Sequence, residues 1–172
     1  MNTHHPRLHE LVTMLDMHRH PEGGWFSEVH RSIARVTTQS DARGERSALT
    51  SIYFLLELGH SSAWHKVQSD EVWIHLEGNP LELWTWDASN NVAKCTNLGP
   101  VGPHVRPQHT VASGLWQAAQ PQREPRGAGF TLVACAVGPG FEFTDFEMMK
   151  PTGADASKLA RSWPQLAAFI AD

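Results

Sequence analysis

The chain has 172 residues, 41% of them hydrophobic, with 7 Trp and 7 Phe: enough for one domain with a sizeable core and too little for two. Its formal net charge of -4 and pI near 6.2 come without the clustered basic face that nucleic acid requires, and no apolar run reaches the roughly 18 residues of a membrane helix. The opening MNTHHPRLHE has no apolar core behind a basic stub, and Cys95 and Cys135 form no C-x-x-C pair. The expectation is a cytoplasmic protein with two buried, reduced thiols, bound to neither nucleic acid nor membrane.

Leu8, Leu11, Val12 and Leu15 recur at helical spacing and predict a helix over about 6–17, with Pro6 in its first turn. It stops by HRHPEGGWF, where Pro21 and the pair Gly23-Gly24 break any period. Ten strand-like segments follow: WFSEVHRS, SALTSIYFLLEL, AWHKVQ, EVWIHLEG, LELWTWD, AKCTNL, HTVA, WQAAQP, GFTLVACAVG and FEFTDFEM. Most are bounded by Gly, Pro, Asn, Asp or Ser, the punctuation of an antiparallel sandwich or barrel. The charged stretches Thr37 to Arg46 and Pro121 to Gly127 are the expected flexible loops. A last helix over about 156–170 carries Pro164 as an interruption. Helix, strands, helix make an all-β core over about 25–148 within a single domain, 1–172, and a double-stranded jelly roll fits that length better than a propeller or an immunoglobulin sandwich.

Of the 11 histidines, His4, His5, His9, His18 and His20 crowd the amino terminus, where solvent exposure is expected, so their number is poor evidence for a metal site. The informative stretch is GHSSAWHKVQSDEVWIHLEG, from Gly59 to Gly78. It resembles the first cupin motif: Gly, five residues, His, one residue, His, three or four residues, Glu, six residues, Gly. Gly59, His65, Glu71 and Gly78 match every spacing, with Val67 at the second histidine position. The second motif is echoed by Ala112 and Gly114, with Gln117 at its histidine position.

Longer blocks are similar to the cupin superfamily 5 proteins, RmlC-like jelly rolls of largely unassigned role. They are HPEGGWF (20–26), SIYFLLE (51–57), SAWHKVQSDEVW (62–73), GNPLEL (78–83), SGLWQAA (113–119) and PGFEFTDFE (139–147). One departure is Ile74, where that family often has a histidine. His75 stands one step further on, and one step along a strand changes the face.

The resemblance implies a cupin barrel around a small-molecule pocket, in a homodimer. Alternation then sets His65 and Val67 on one face, Glu71, Trp73 and His75 on the next strand, and Gln117 on a third. Trp64, Trp73, His75 and Gln117 are candidate ligand contacts. In a metal-free reading His65 removes a proton alpha to a carbonyl, Glu71 orients it and raises its pKa, and Tyr53 is a candidate acid. A second set, His20, Glu22, Glu28 and Arg31, offers a guanidinium fork for a ligand or a charged edge strand at a dimer contact. Phe141, Phe143 and Phe146 read as core or dimer packing, with one of them free to cap a pocket, and Asp145 with Glu147 as a solvated or interface pair.

A divalent metal would have only His65, Glu71 and the weak donor Gln117 as ligands, so no cofactor is firmly expected. Three functions stay open: an isomerase or epimerase of a polar, sugar-like metabolite, a ligand-binding or sensor module without chemistry, and a metal-dependent oxygenase or lyase.

Overall fold

Two six-stranded sheets face one another with apolar side chains packed between them. The computed structural model describes residues 6–38 and 42–171. Helix α1 (Pro6–Met14) precedes β1 (His18–Arg19) and β2 (Trp25–Arg31). A ribbon of β3 (Arg35–Thr37) and β4 (Glu45–Ser47) leads to β5 (Thr50–Glu57), β6 (Ser62–Val67) and β7 (Asp70–Gly78). Next come β8 (Leu81–Asp87), β9 (Val92–Leu98), β10 (Val105–Arg106) and β11 (Gln108–Val111), then β12 (Trp116–Pro121), β13 (Phe130–Gly138) and β14 (Phe146–Met148). Helix α2 (Ala154–Ser162) runs into a 3-10 turn, Pro164–Phe169.

One sheet has the order β1-β2-β5-β13-β7-β11 and the other β10-β9-β8-β12-β6-β14. Between them lie Phe54, Leu56, Trp73, Leu83, Val133 and Cys135. The outer faces are also apolar. Leu8 and Leu11 of α1 cover Leu55, Phe130 and Leu132 on the first sheet, and Leu159, Leu166 and Phe169 cover Trp64, Trp86 and Trp116 on the second. The expected all-β jelly roll with helices at both ends is thus present, its core in three layers. No helix among the described residues is long and apolar enough to cross a membrane.

The differences from expectation have local causes. Helix α1 ends at Met14, because Asp16 adopts a left-handed φ of 48°. Helix α2 ends at Ser162, since the residue before Pro164 is disfavoured from helical geometry. FEFTDFEM is a strand only over its last three residues of β14, with a 3-10 turn at Phe143–Asp145. The stretch Thr37 to Arg46, expected to be loose, ends in the β3-β4 ribbon and sends Arg43 and Arg46 to the buried carboxylate of Asp145; its residues 39–41 lie outside the described residues, as do His4 and His5. Asp145 is therefore neither solvated nor paired with Glu147. Cys95 is exposed on β9, whose outer neighbour β10 pairs only with Asn97 and Leu98.

Candidate functional site

At one end of β2, β5, β6, β7 and β13 the inner layer does not close, and a cavity of about 90 Å³ opens between the sheets. Its apolar walls include Phe26, Ile52, Phe54 and Trp73 from strands, with Phe141, Phe143 and Phe146 as a roof. Alternation on β6 turns His65 and Val67 inward, and alternation on β7 does the same for Glu71 and Trp73.

The turn HPEGG adds His20 and Glu22. Gly23 and Gly24 have φ of 108° and 70°, and a Cβ at Gly23 would stand 2.5 Å from the Ser61 carbonyl oxygen. Only glycine tolerates both the backbone angle and the approach. The turn therefore lies directly on the start of β6, pinned by the Ala63 N–H donating to the Glu22 carbonyl at 2.8 Å. Glu22 is thrust inward, where the Ser62 hydroxyl donates to its Oε1 at 2.9 Å. Its Oε2 lies 3.3 Å from His65 Nε2 and 3.4 Å from His20 Nδ1.

His65 Nδ1 is 2.8 Å from the Ala63 carbonyl oxygen. A carbonyl only accepts, so Nδ1 carries the proton and Nε2 of the neutral ring is bare, a tautomer assigned from its partner. Glu71 accepts from Gln117 Nε2, and Gln117 Oε1 in turn accepts from Trp73 Nε1 at 3.0 Å. Burial dominates the electrostatics. It pushes the Glu22 carboxyl up to about 8 and raises Glu71, which His65 lowers and Glu22 raises further. It also lowers His65 and, with help from His65, brings His20 down to about 4. The floor of the cavity thus favours neutral groups.

At the mouth, Arg31 forks onto Glu28 through Nε and Nη2 at 3.1 and 2.8 Å. Its Nη1 donates to Glu142 and to the Phe141 carbonyl at 2.9 and 3.1 Å. Asp145 holds the roof: Arg46 donates to it in bidentate fashion at 2.7 and 2.8 Å, with Arg43 at 3.5 Å. That fixes the short turn between Phe143 and Phe146, and His20 sits edge-on to Phe26 and Phe146 beneath it.

The structure brings His65, Glu71, Trp73, Glu28 and Arg31 to one cavity, so the two candidate sets in the sequence form a single constellation. Gln117 lies one layer behind, holding Glu71. Three candidates lie elsewhere. Tyr53 sits on the outer face of β5 with Leu55, packed beneath α1. Trp64 faces the carboxy-terminal helices and donates from Nε1 to the Leu166 carbonyl at 2.9 Å. His75 is two residues beyond Trp73, past the cavity, with Nε2 at 3.1 Å from the Asn79 carbonyl oxygen. His20, expected in solvent, has a side chain only 6% exposed. Sequence reasoning missed Ser62, Phe26, Phe54 and Cys135 as site components; the alternation of Ile52 and Phe54 in SIYFLLE was the available signal for the wall.

At the cupin motif positions the donors for a metal ion are few. Val67 stands at one ligand position, Gln117 is engaged with Glu71 and Trp73, and among the described residues no group of three or more His, Cys, Asp or Glu side chains is arranged to hold one.

A two-sheet barrel with buried imidazoles and carboxyls at its open end is the architecture of a cupin. The chain belongs to the cupin superfamily family that matches residues 9–149, described as Cupin superfamily (DUF985). It is similar to a hypothetical protein from Leishmania major at 31% identity and a TM-score of 0.79, covering 94% of this chain and 95% of that one. A Shewanella oneidensis protein matches at 29% identity and a TM-score of 0.75, over 94% and 92% of the two chains. Oxalate decarboxylase from Bacillus subtilis, at 14% identity and a TM-score of 0.55, covers 91% of this chain and 37% of that protein, a likeness of fold alone. No curated protein matches the chain.

Proposed function

We propose that the protein is an enzyme of isomerase or epimerase type that moves a proton alpha to a carbonyl in a small polar metabolite. The observation that carries this reading is the buried, neutral His65, with Nδ1 fixed on the Ala63 carbonyl and a bare Nε2 at the cavity floor. That is the state a general base requires. Glu71, held by Gln117, sits near enough to stabilise the imidazolium that forms. The cavity of about 90 Å³ suits a small metabolite or the reactive end of a larger one.

Incubation with candidate carbonyl metabolites in deuterated water tests it. Deuterium should enter the carbon next to the carbonyl, and His65→Gln should abolish that exchange while a thermal shift still reports ligand binding. Exchange that survives His65→Gln would refute the role of His65. A second reading, ligand binding without chemistry, is supported by Val67 and Gln117 at two motif positions where a reactive donor would stand; it predicts thermal shifts with no exchange in any compound.

We further propose a homodimer joined along β2. Beyond Phe26, β1 leaves the outer edge of this strand without a partner among the described residues; Val29 on the strand is 51% exposed and Ile33, just past its end, 97%.

A further inference from the structure

Two imidazole nitrogens flank one carboxylate oxygen in the cavity floor. His65 Nε2 is bare because Nδ1 donates to the Ala63 carbonyl. His20 Nδ1 carries no proton either, since it accepts from the Glu22 backbone N–H at 3.4 Å. Glu22 Oε2 stands 3.3 Å from the first nitrogen and 3.4 Å from the second, while Oε1 already accepts from Ser62. Two imine nitrogens and a carboxylate oxygen at these distances repel; a proton on Oε2 turns the contact into a shared hydrogen bond.

Moving that proton to an imidazole would create a buried ion pair. The ionisable groups facing Glu22 are His20 on its own turn, His65 on β6, Glu71 on β7 and Cys135 on β13. None is a permanent cation. Arg31, at the mouth, is committed to Glu28 and Glu142. The neutral arrangement keeps charge out of the buried floor.

We infer that Glu22 is a further catalytic residue, a carboxylic acid that protonates the substrate's carbonyl oxygen while His65 removes the proton from the adjacent carbon. This rests on the proton-transfer reading above and narrows it. The C–H electron pair becomes the C=C bond of an enediol, the carbonyl π pair moves onto oxygen, and that oxygen takes the Glu22 proton. Glu22 is left as a carboxylate next to the new His65 imidazolium. Collapse through the neighbouring carbon reverses every transfer: the second hydroxyl returns its proton to Glu22, and His65 gives its proton to carbon. Acid and base adjoin one another, so the proton returns from the side it left, as in an aldose–ketose isomerisation. The substrate class is a small α-hydroxy aldehyde or ketone, and it is uncharged, because the cavity's guanidinium already carries two carboxylates.

Difference infrared spectroscopy of the whole chain, wild type minus Glu22→Gln, tests the acid without any substrate. At pH 6.5 the difference should contain a carboxylic-acid carbonyl band, and in wild type alone that band should fade as pH rises through about 8. The subtraction separates Glu22 from Glu71, which burial also raises. An absent band at pH 6.5 overturns the inference. So does a stoichiometric divalent metal on the purified protein whose removal creates the band, since the two nitrogens and the carboxylate oxygen would then be meeting an ion.

Glyceraldehyde and dihydroxyacetone serve as reaction probes. Glu22→Gln should lower kcat at least roughly 100-fold, with KM changed less than about threefold. Full turnover in Glu22→Gln overturns the catalytic role. An infrared band without deuterium incorporation in any carbonyl probe removes the proton-transfer reading, and Glu22's role in catalysis with it, while its protonation stands.

Discussion

Replacing Glu22 by Gln should make the protein relatively more stable as pH rises. The unfolded chain releases the Glu22 proton near 4.5, whereas the folded chain keeps it to about 8. Between those values the folded state holds the extra proton, so unfolding releases it and stability falls as pH increases. At about 1.4 kcal/mol per pH unit, the whole interval is worth about 5 kcal/mol. His20 works in the opposite sense. Its folded value is lowered from 6.5 to about 4, so its contribution is fully present above 6.5 and is lost, by about 3 kcal/mol, as pH falls through that window. The two slopes oppose one another between about 4.5 and 6.5; above 6.5 the His20 slope ends, and comparison with Glu22→Gln separates Glu22 from Glu71, which burial also raises.

Urea denaturation of wild type and Glu22→Gln at pH 5, 6.5 and 8 measures this, provided the m-values agree. Glutamine keeps an oxygen for the Ser62 hydroxyl and an N–H for an imidazole, so the variant should fold. Relative to pH 5, it should gain about 4 kcal/mol on wild type by pH 8. A stability difference that does not change with pH, or one that shifts in favour of wild type as pH rises, would refute the neutral acid.

Gln117→Leu leaves the Trp73 indole N–H and the Glu71 carboxyl without their shared partner; a loss of about 2–5 kcal/mol, or roughly 5–15 °C in Tm, is expected by calorimetry. A loss below about 1 kcal/mol would show that water replaces the amide. Val67→His combined with Gln117→His adds two donors beside His65, with which position 117 is in direct register. Elemental analysis should then find about one divalent ion per chain, and none would show that the cavity geometry, beyond the missing donors, disfavours metal. Val29→Lys on the open edge of β2 should convert a dimer of twice the 19.1 kDa chain mass to monomer in sedimentation experiments; a monomeric wild type would remove that interface.

The inner wall of the barrel is legible in the sequence wherever alternation runs unbroken, as it does through His65 and Val67 and through Glu71 and Trp73. Alternation alone does not say which of two apolar faces is the inner one. Both sheets here are apolar on both sides, so Trp64 under the carboxy-terminal helices is as buried as Trp73 at the cavity. Periodicity therefore admits Tyr53 and Trp64 to a pocket from which one step of the strand excludes them. His75 fails for another reason: it shares a strand with Glu71 and Trp73 but lies beyond the cavity, a depth that periodicity does not encode.

Glu22 has no period to betray it, because it belongs to a turn. Its position follows from two glycines whose missing side chains let that turn rest on Ser61 and Leu55. The residues that read as punctuation between helix and barrel are thus the ones that carry a carboxyl and an imidazole into the floor. The segment's own chemistry, a histidine and a glutamate flanking a proline ahead of Gly-Gly, becomes meaningful only against the acceptor that β6 presents. With Nδ1 tied to the Ala63 carbonyl, His65 presents its unprotonated Nε2 to the Glu22 carboxyl. The carboxyl at residue 22 and the imidazole at residue 65 are consequently one acid–base unit, and substitution of either should be read by its effect on the protonation of the other.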